Sequence, residues 1–245
     1  MNIVKSVLQF LFPENAVCIG CGDLSGAAHD GLCEKCLDRL EKLRVTDTEG
    51  RCPCCLSPLR RGGCRECAML SRTISRATFA FTYARPASDI VKRYKYNGVG
   101  HMAEWMAGEM LRAPGAKAML RLCDLIVCAP SDIFRKNRRG YNQAYLLAKA
   151  LGRRADKPVA DILKRRPFVK HQARLNRAER LANLSGVIRC RKDLTGKRIL
   201  LVDDVRTTGA TAAACARALR KAGAERVELL TFAASEGKKR DAVRK

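Results

Sequence analysis

Eight cysteines stand in four Cys-x-x-Cys pairs before residue 70: Cys18 with Cys21, Cys33 with Cys36, Cys52 with Cys55, and Cys64 with Cys67. Two thiolates at this spacing reach one metal from a tight knuckle, and two knuckles complete a tetrahedral site. Gly20, Gly22 and Gly63 supply the backbone freedom such turns need. The expected chemistry is two structural zinc ions, each closed by four thiolates with no position left for a reacting water. The simplest pairing is sequential, with Cys18, Cys21, Cys33 and Cys36 on one ion and Cys52, Cys55, Cys64 and Cys67 on the other. Spacing alone also allows an interleaved pairing. Cys54 lies inside the third knuckle, between Cys52 and Cys55, and replaces Cys55 only by spoiling it. His29 reads as a surface residue, since thiolates already fill the nearby site. Cys123, Cys128, Cys190 and Cys215 stand among apolar residues and read as buried packing groups.

A second constellation lies near the other end, where residues 199–211 read ILLVDDVRTTGAT. An apolar run ends in Asp203 and Asp204, and Thr207, Thr208, Gly209, Ala210 and Thr211 form a turn into a helix start. Backbone N–H groups, the helix dipole and Thr hydroxyls there suit a phosphate. The two carboxylates repel a phosphate, so they suit another part of the same ligand. Vicinal sugar hydroxyls are their natural partners, because ionised carboxylates only accept hydrogen bonds. A sugar phosphate satisfies both halves. The stretch is not a Walker A loop, since the Lys-Ser/Thr ending is missing.

These groups need elements to hold them, and the hydropathy pattern supplies candidates. Strands are expected at 77–83, 124–128, 158–163, 198–202 and 226–232. Helices are expected at 89–96, 101–111, 141–151 (stopped by Gly152), 175–184 and 210–222. Strands alternating with helices imply a mainly parallel sheet with helices on both faces. The apolar strand before Asp203 then delivers both acids to the carboxyl edge of the sheet, where open α/β folds bind ligands. The expected division is a cysteine-rich unit at 1–70, with an N-terminal helix and two zinc ribbons, and an α/β unit at 71–245.

The chain has 245 residues, 47% of them hydrophobic, and a formal net charge of +24. Residues 1–70 carry nine basic and nine acidic side chains, so all of the excess lies in 71–245. That field favours polyanions or phosphorylated small molecules as partners. It is densest at 132–180, with 15 basic side chains against four acidic ones, yet Phe168 is the single aromatic between Tyr145 and Arg180. Nucleic-acid binding by this stretch is therefore expected to be electrostatic and blind to sequence. The start, MNIVKSVLQFLFP, is too short to span a bilayer and lacks a small-residue cleavage site, so it reads as a packed helix. No membrane span and a cytoplasmic location, where thiols stay reduced, are expected.

ILLVDDVRTTGAT resembles the phosphoribosyl pyrophosphate loop of type I phosphoribosyltransferases. The resemblance implies that Asp203 and Asp204 hold the ribose hydroxyls, and that Thr207, Thr208, Gly209, Ala210 and Thr211 hold the 5′-phosphate. VCAPS at 127–131 is similar to the family's pyrophosphate-binding loop and is followed by RRGYNQ at 138–143. Ser131, Arg138 and Arg139 are then expected at the pyrophosphate, with magnesium carried on the ligand's oxygens. The cysteine ribbons, RRGYNQ, the set Gln172, Leu175, Arg180 and Asn183, and VDDVRTTGAT together resemble the ComF family over nearly the whole chain. That resemblance implies a zinc domain joined to a phosphoribosyltransferase-like domain, and a link to DNA uptake during natural transformation. Two functions fit. One transfers the phosphoribosyl group to an acceptor the sequence does not name. The other holds phosphoribosyl pyrophosphate without chemistry and binds single-stranded DNA among proteins of the uptake machinery.

Overall fold

The computed structural model describes residues 17–23, 31–59, 63–64, 67–70, 73–96, 102–131, 142–165 and 188–236. The expected helices at the N-terminus and at 175–184, together with His29, Arg138 and Arg139, lie outside these residues.

Five strands build one all-parallel sheet: β1 (Arg76–Thr82), β2 (Leu125–Cys128), β3 (Val159–Ala160), β6 (Arg198–Arg206) and β7 (Arg226–Ala234), in spatial order β1-β7-β6-β2-β3. Strands β4 (Leu163–Arg165) and β5 (Ile188–Cys190) form a separate antiparallel pair. Among the described residues the helices are α1 (Glu34–Glu41), α2 (Cys67–Leu70), α3 (Ala87–Tyr96), α4 (Met102–Leu111), α5 (Ala116–Leu122), α6 (Gln143–Ala155) and α7 (Ala210–Lys221). Helix α6 packs on β2 and β6, and α7 on β6 and β7. Crossovers between parallel strands are right-handed, and these two run in opposite directions along the sheet, so they put α6 and α7 on opposite faces. β6 and β7 at the centre are buried over nearly their whole length, as continuous apolar runs in covered parallel sheets are.

Four expectations are corrected. The apolar strand does not stop at Val202 but runs to Arg206, because β7 continues beside it: Asp203 pairs with Thr231 and Arg206 with Ala234. Helix α6 does not end at Gly152; it passes through to Ala155 and closes on Asp156, whose φ is 49°. Gly152 is a close-approach residue, where a Cβ would lie 2.4 Å from Val159 Cγ2 and 2.8 Å from the Lys157 carbonyl. The single strand expected at 158–163 is two, a short edge strand on β2 and then β4 in the other pair. Cys190 is half-buried at a strand end, whereas Cys123, Cys128 and Cys215 are buried as expected. Helix α5 and strand β5 carried too little periodicity to be expected.

The cysteine-rich segment packs on the β1 edge. Val45 donates to the Ala80 carbonyl, Thr82 to the Leu43 carbonyl, and Ala77 to the Cys54 carbonyl. Those bonds satisfy an edge that would otherwise template pairing with another chain. Arg44 lies over the Phe81 ring, 4.6 Å from its centroid, with Glu41 and Glu109 as ion partners. Among the described residues no helix is long and apolar enough to cross a membrane.

Candidate functional site

The chain leaves β2 through α6 to β3 on one side, and leaves β6 through α7 to β7 on the other. β2 and β6 are neighbours, so the two exits diverge and open a crevice at their carboxyl ends. Ligands of open α/β sheets bind at such a switch point. Here the end of β2 supplies Ala129, Pro130 and Ser131, and the end of β6 supplies Asp203 and Asp204. All five line a cleft of ≈ 290 Å³ that also takes in Thr207, Thr211 and Arg165.

Asp204 is buried and Asp203 is half-buried, which two solvated acids would not be. Alternation along β6 sends neighbouring side chains to opposite faces of the sheet. Lys95, near the end of α3, reaches Asp204 with its Nζ 2.8 Å from Oδ1. Burial opposes the Lys95 charge, but Asp204 holds its ammonium above the ordinary lysine value. Burial and then the Asp204 charge push the Asp203 carboxyl up to about 7, against the pull of Lys95. Near neutral pH the pair therefore both accepts hydrogen bonds and, through the proton on Asp203, donates one. Once Asp203 releases that proton both carboxylates only accept, which is what two donating hydroxyls of a vicinal diol require. Lys95 was not singled out from sequence; it stands 108 positions before Asp203 in a stretch rich in other basic residues.

The turn after the acids has the expected form. Gly209 precedes α7 with φ +74°, a conformation that glycine adopts without strain. Thr207 and Thr208 are exposed, and Thr208 Oγ1 accepts from the Ala210 N–H at 3.4 Å. Beneath the turn is a cavity of ≈ 50 Å³ lined by residues 207–212, and the buried hydroxyl of Thr231 beside it has no partner among the described residues. Asn142 shapes the opposite wall. Its side chain caps α6 by accepting from the Ala144 N–H, and its amide donates to the Ala129 carbonyl at 3.1 Å. The Tyr94 hydroxyl donates to the Gln143 carbonyl at 2.8 Å, joining the end of α3 to the start of α6.

The eight paired cysteines form two groups, Cys18, Cys21, Cys33 and Cys36, and Cys52, Cys55, Cys64 and Cys67. This is the sequential pairing; exposed Cys54 belongs to neither. Sulfur separations are 3.8 Å for Cys21 to Cys33, 3.3 Å for Cys52 to Cys67 and 3.4 Å for Cys55 to Cys64. Four sulfurs at ~2.3 Å from one ion in a tetrahedron stand about 3.8 Å apart, so each group has nearly the size to hold a zinc-like ion. Burial opposes ionisation of Cys18, yet N–H groups of Cys33, Cys21 and Gly20 bring its thiol down to about 6. Burial likewise opposes ionisation of Cys52, but hydrogen bonds led by Cys67 bring it to about 7. Burial and neighbouring sulfurs push Cys36 and Cys67 the other way. Sulfurs this close cannot all ionise without a cation among them.

Residues 137–245 match the model of the family described as phosphoribosyl transferase domain. The chain is 30% identical over 224 residues to Competence protein F of Haemophilus influenzae, covering 88% of this chain and 95% of that one. This chain belongs to the ComF family. Other ComF relatives include DNA utilization protein YhgH of Escherichia coli, 29% identical over 209 residues (82% of this chain, 89% of the relative). Competence protein ComFC of Bacillus subtilis is 26% identical over 199 residues, covering 78% of this chain and 79% of the relative. The ComF chain thus joins cysteine clusters that fit a zinc-ribbon domain to a phosphoribosyltransferase-like sheet.

Proposed function

We propose that the cleft at the ends of β2 and β6 binds phosphoribosyl pyrophosphate. Asp203 and Asp204 hold the ribose hydroxyls, the turn at 207–211 holds the 5′-phosphate, and Ser131, with Arg138 and Arg139, holds the pyrophosphate. The observation that carries the reading is the meeting, at one switch point, of an acid pair partly withdrawn from solvent and an anion-type turn at the end of one strand. Magnesium would ride on the ligand's oxygens, offsetting pyrophosphate charge. Zinc in the two cysteine groups would be structural, since four thiolates leave no open coordination position.

The names of its relatives, competence and DNA utilisation proteins, support a role in DNA uptake, with single-stranded DNA and proteins of the uptake machinery as partners in the cytoplasm. Transfer of the phosphoribosyl group would need displacement of pyrophosphate from C1, a step driven by positioning and charge. Asp203 and Asp204, holding the ribose, would orient C1 for that step. A non-catalytic ligand-sensing role is favoured by a different observation, the +24 charge confined to residues 71–245.

Calorimetric titration with magnesium and phosphoribosyl pyrophosphate tests the shared core. The wild type is expected to bind, and the Asp203→Asn/Asp204→Asn variant to lose at least tenfold in affinity. Absence of binding by the wild type would sink both readings. Anisotropy of labelled single-stranded DNA at several salt concentrations, and release of pyrophosphate with candidate acceptors, then separate sensing from transfer.

A further inference from the structure

Two contacts join the second cysteine group to the ligand turn, one before it and one within it. Arg206, the residue before Thr207, is only 3% exposed. Its guanidinium donates to the Cys55 carbonyl at 3.3 Å and to Ser57 Oγ at 3.1 Å, and lies 5.3 Å from the Phe79 ring centroid. Of the described residues no carboxylate pairs with it, and its Nη1 has no hydrogen-bond partner. A buried cation held only by neutral acceptors depends on those acceptors staying in place. The second contact is at Gly209, where a Cβ would lie 2.9 Å from Leu70 Cδ2, so the turn backbone rests on Leu70. Leu70 ends the short α2, which begins at Cys67. The sulfurs of Cys55 and Cys67 are 3.5 Å apart, so both contacts start from one prospective metal position.

The geometry points to Arg206 as a positioning residue that couples metal occupancy of the second cysteine group to the shape of the turn at 207–211, and through the turn to ligand binding. With an ion in place, the Cys55 carbonyl and Leu70 are fixed relative to each other. Without it the four sulfurs lose their common centre, the two cysteine pairs are free to part, and Arg206 and Gly209 lose their supports together. Coupling of this kind is reciprocal, so a ligand that orders the turn must also retain the metal. The ligand arm of this inference rests on the sugar-phosphate reading of the turn, whereas the link between metal and turn does not.

The test uses the full zinc-loaded chain as wild type, Arg206→Met and Arg206→Lys. Zinc transfer to a chromophoric chelator is followed with and without magnesium and phosphoribosyl pyrophosphate. Hydrogen exchange of the amides at 207–213 is measured without ligand. In the wild type the ligand is expected to slow release of one of the two zinc equivalents by on the order of tenfold, within the usual range of coupling between sites. Arg206→Met is expected to keep both zinc equivalents at rest, abolish the slowing and exchange faster at the turn. Arg206→Lys, which keeps a cation and a donor, should restore part of both effects. Ligand binding by the wild type with unchanged zinc release would overturn the coupling, and so would unchanged turn exchange in Arg206→Met. If the ligand does not bind at all, the functional reading fails, and the exchange arm still decides the coupling. If Arg206→Met does not fold, the wild-type ligand arm and Arg206→Lys carry the decision.

Discussion

Lys95→Met isolates the counter-charge of the acid pair. The Lys95 side chain is 29% exposed and that of Asp204 is 9% exposed, with 2.8 Å between the charged atoms. Breaking a fully buried pair by removing one partner costs about 3–5 kcal/mol. Partial exposure of Lys95 lets water screen the interaction, so ~2 kcal/mol is the reasonable expectation at mildly alkaline pH. For a chain this long each kcal/mol moves the melting temperature by about 2–4 °C, giving a loss of roughly 4–8 °C. The loss must depend on pH in a particular direction. Asp203 titrates at about 7 in the fold, against an ordinary 3.8, so between those values the native state binds more protons than the unfolded chain. Stability contributed by this group therefore falls as pH rises through that window. Removing Lys95, which pulls the Asp203 value down, shifts the window upward. At about pH 6 the variant keeps a proton on the pair, and its deficit relative to wild type should shrink below ~1 kcal/mol. Thermal melting of both proteins at about pH 6 and about pH 8.5, each against its own wild-type control, measures the difference. A deficit that is equal at both pH values, or larger at the lower one, would refute the assignment of Lys95 as the counter-ion of the acid pair.

Three further outcomes are expected. Cys54→Ser should retain two zinc ions per chain by elemental analysis, because Cys54 is exposed and outside both groups, whereas Cys55→Ser should lose one. Gly152→Ala should destabilise the fold by roughly 1–3 kcal/mol in chemical denaturation, since its new methyl meets both Val159 and the Lys157 carbonyl; wild-type stability would show that the helix–strand contact yields freely. Affinity for phosphoribosyl pyrophosphate should rise between about pH 6 and about pH 8 as Asp203 releases its proton, and this component should vanish in Asp203→Asn. A profile unchanged by that substitution would assign the pH response to the ligand's own phosphates.

Local chemistry made much of the chain legible. The cysteine spacing of three is a covalent-geometry signal, readable without knowing any other contact, whereas the tertiary structure chose the sequential groups over interleaved ones. The acid pair and turn at 203–211 were equally local, because one strand end and one helix start hold every group. Element ends were less legible where a neighbour decides them. β6 runs past its apolar stretch because β7 offers it partners, and α6 passes Gly152 because Val159 packs where a side chain would be. Nothing in the sequence singles out Arg206, yet Cys55, Ser57 and Phe79 enclose it.

The sequence by itself determined which groups can do chemistry here: eight thiolates in knuckles, two adjacent carboxylates and a glycine-containing anion turn. Types and short spacings set those, since each group's members lie within reach along one segment. Only the tertiary structure decided how these groups act on one another. It brings Lys95 to Asp204 from a distant part of the chain, raises Asp203 by burying it beside a like charge, and sets the Cys55 carbonyl under Arg206. Such effects come from burial and through-space charge, which depend on what packs nearby rather than on what is adjacent in the chain.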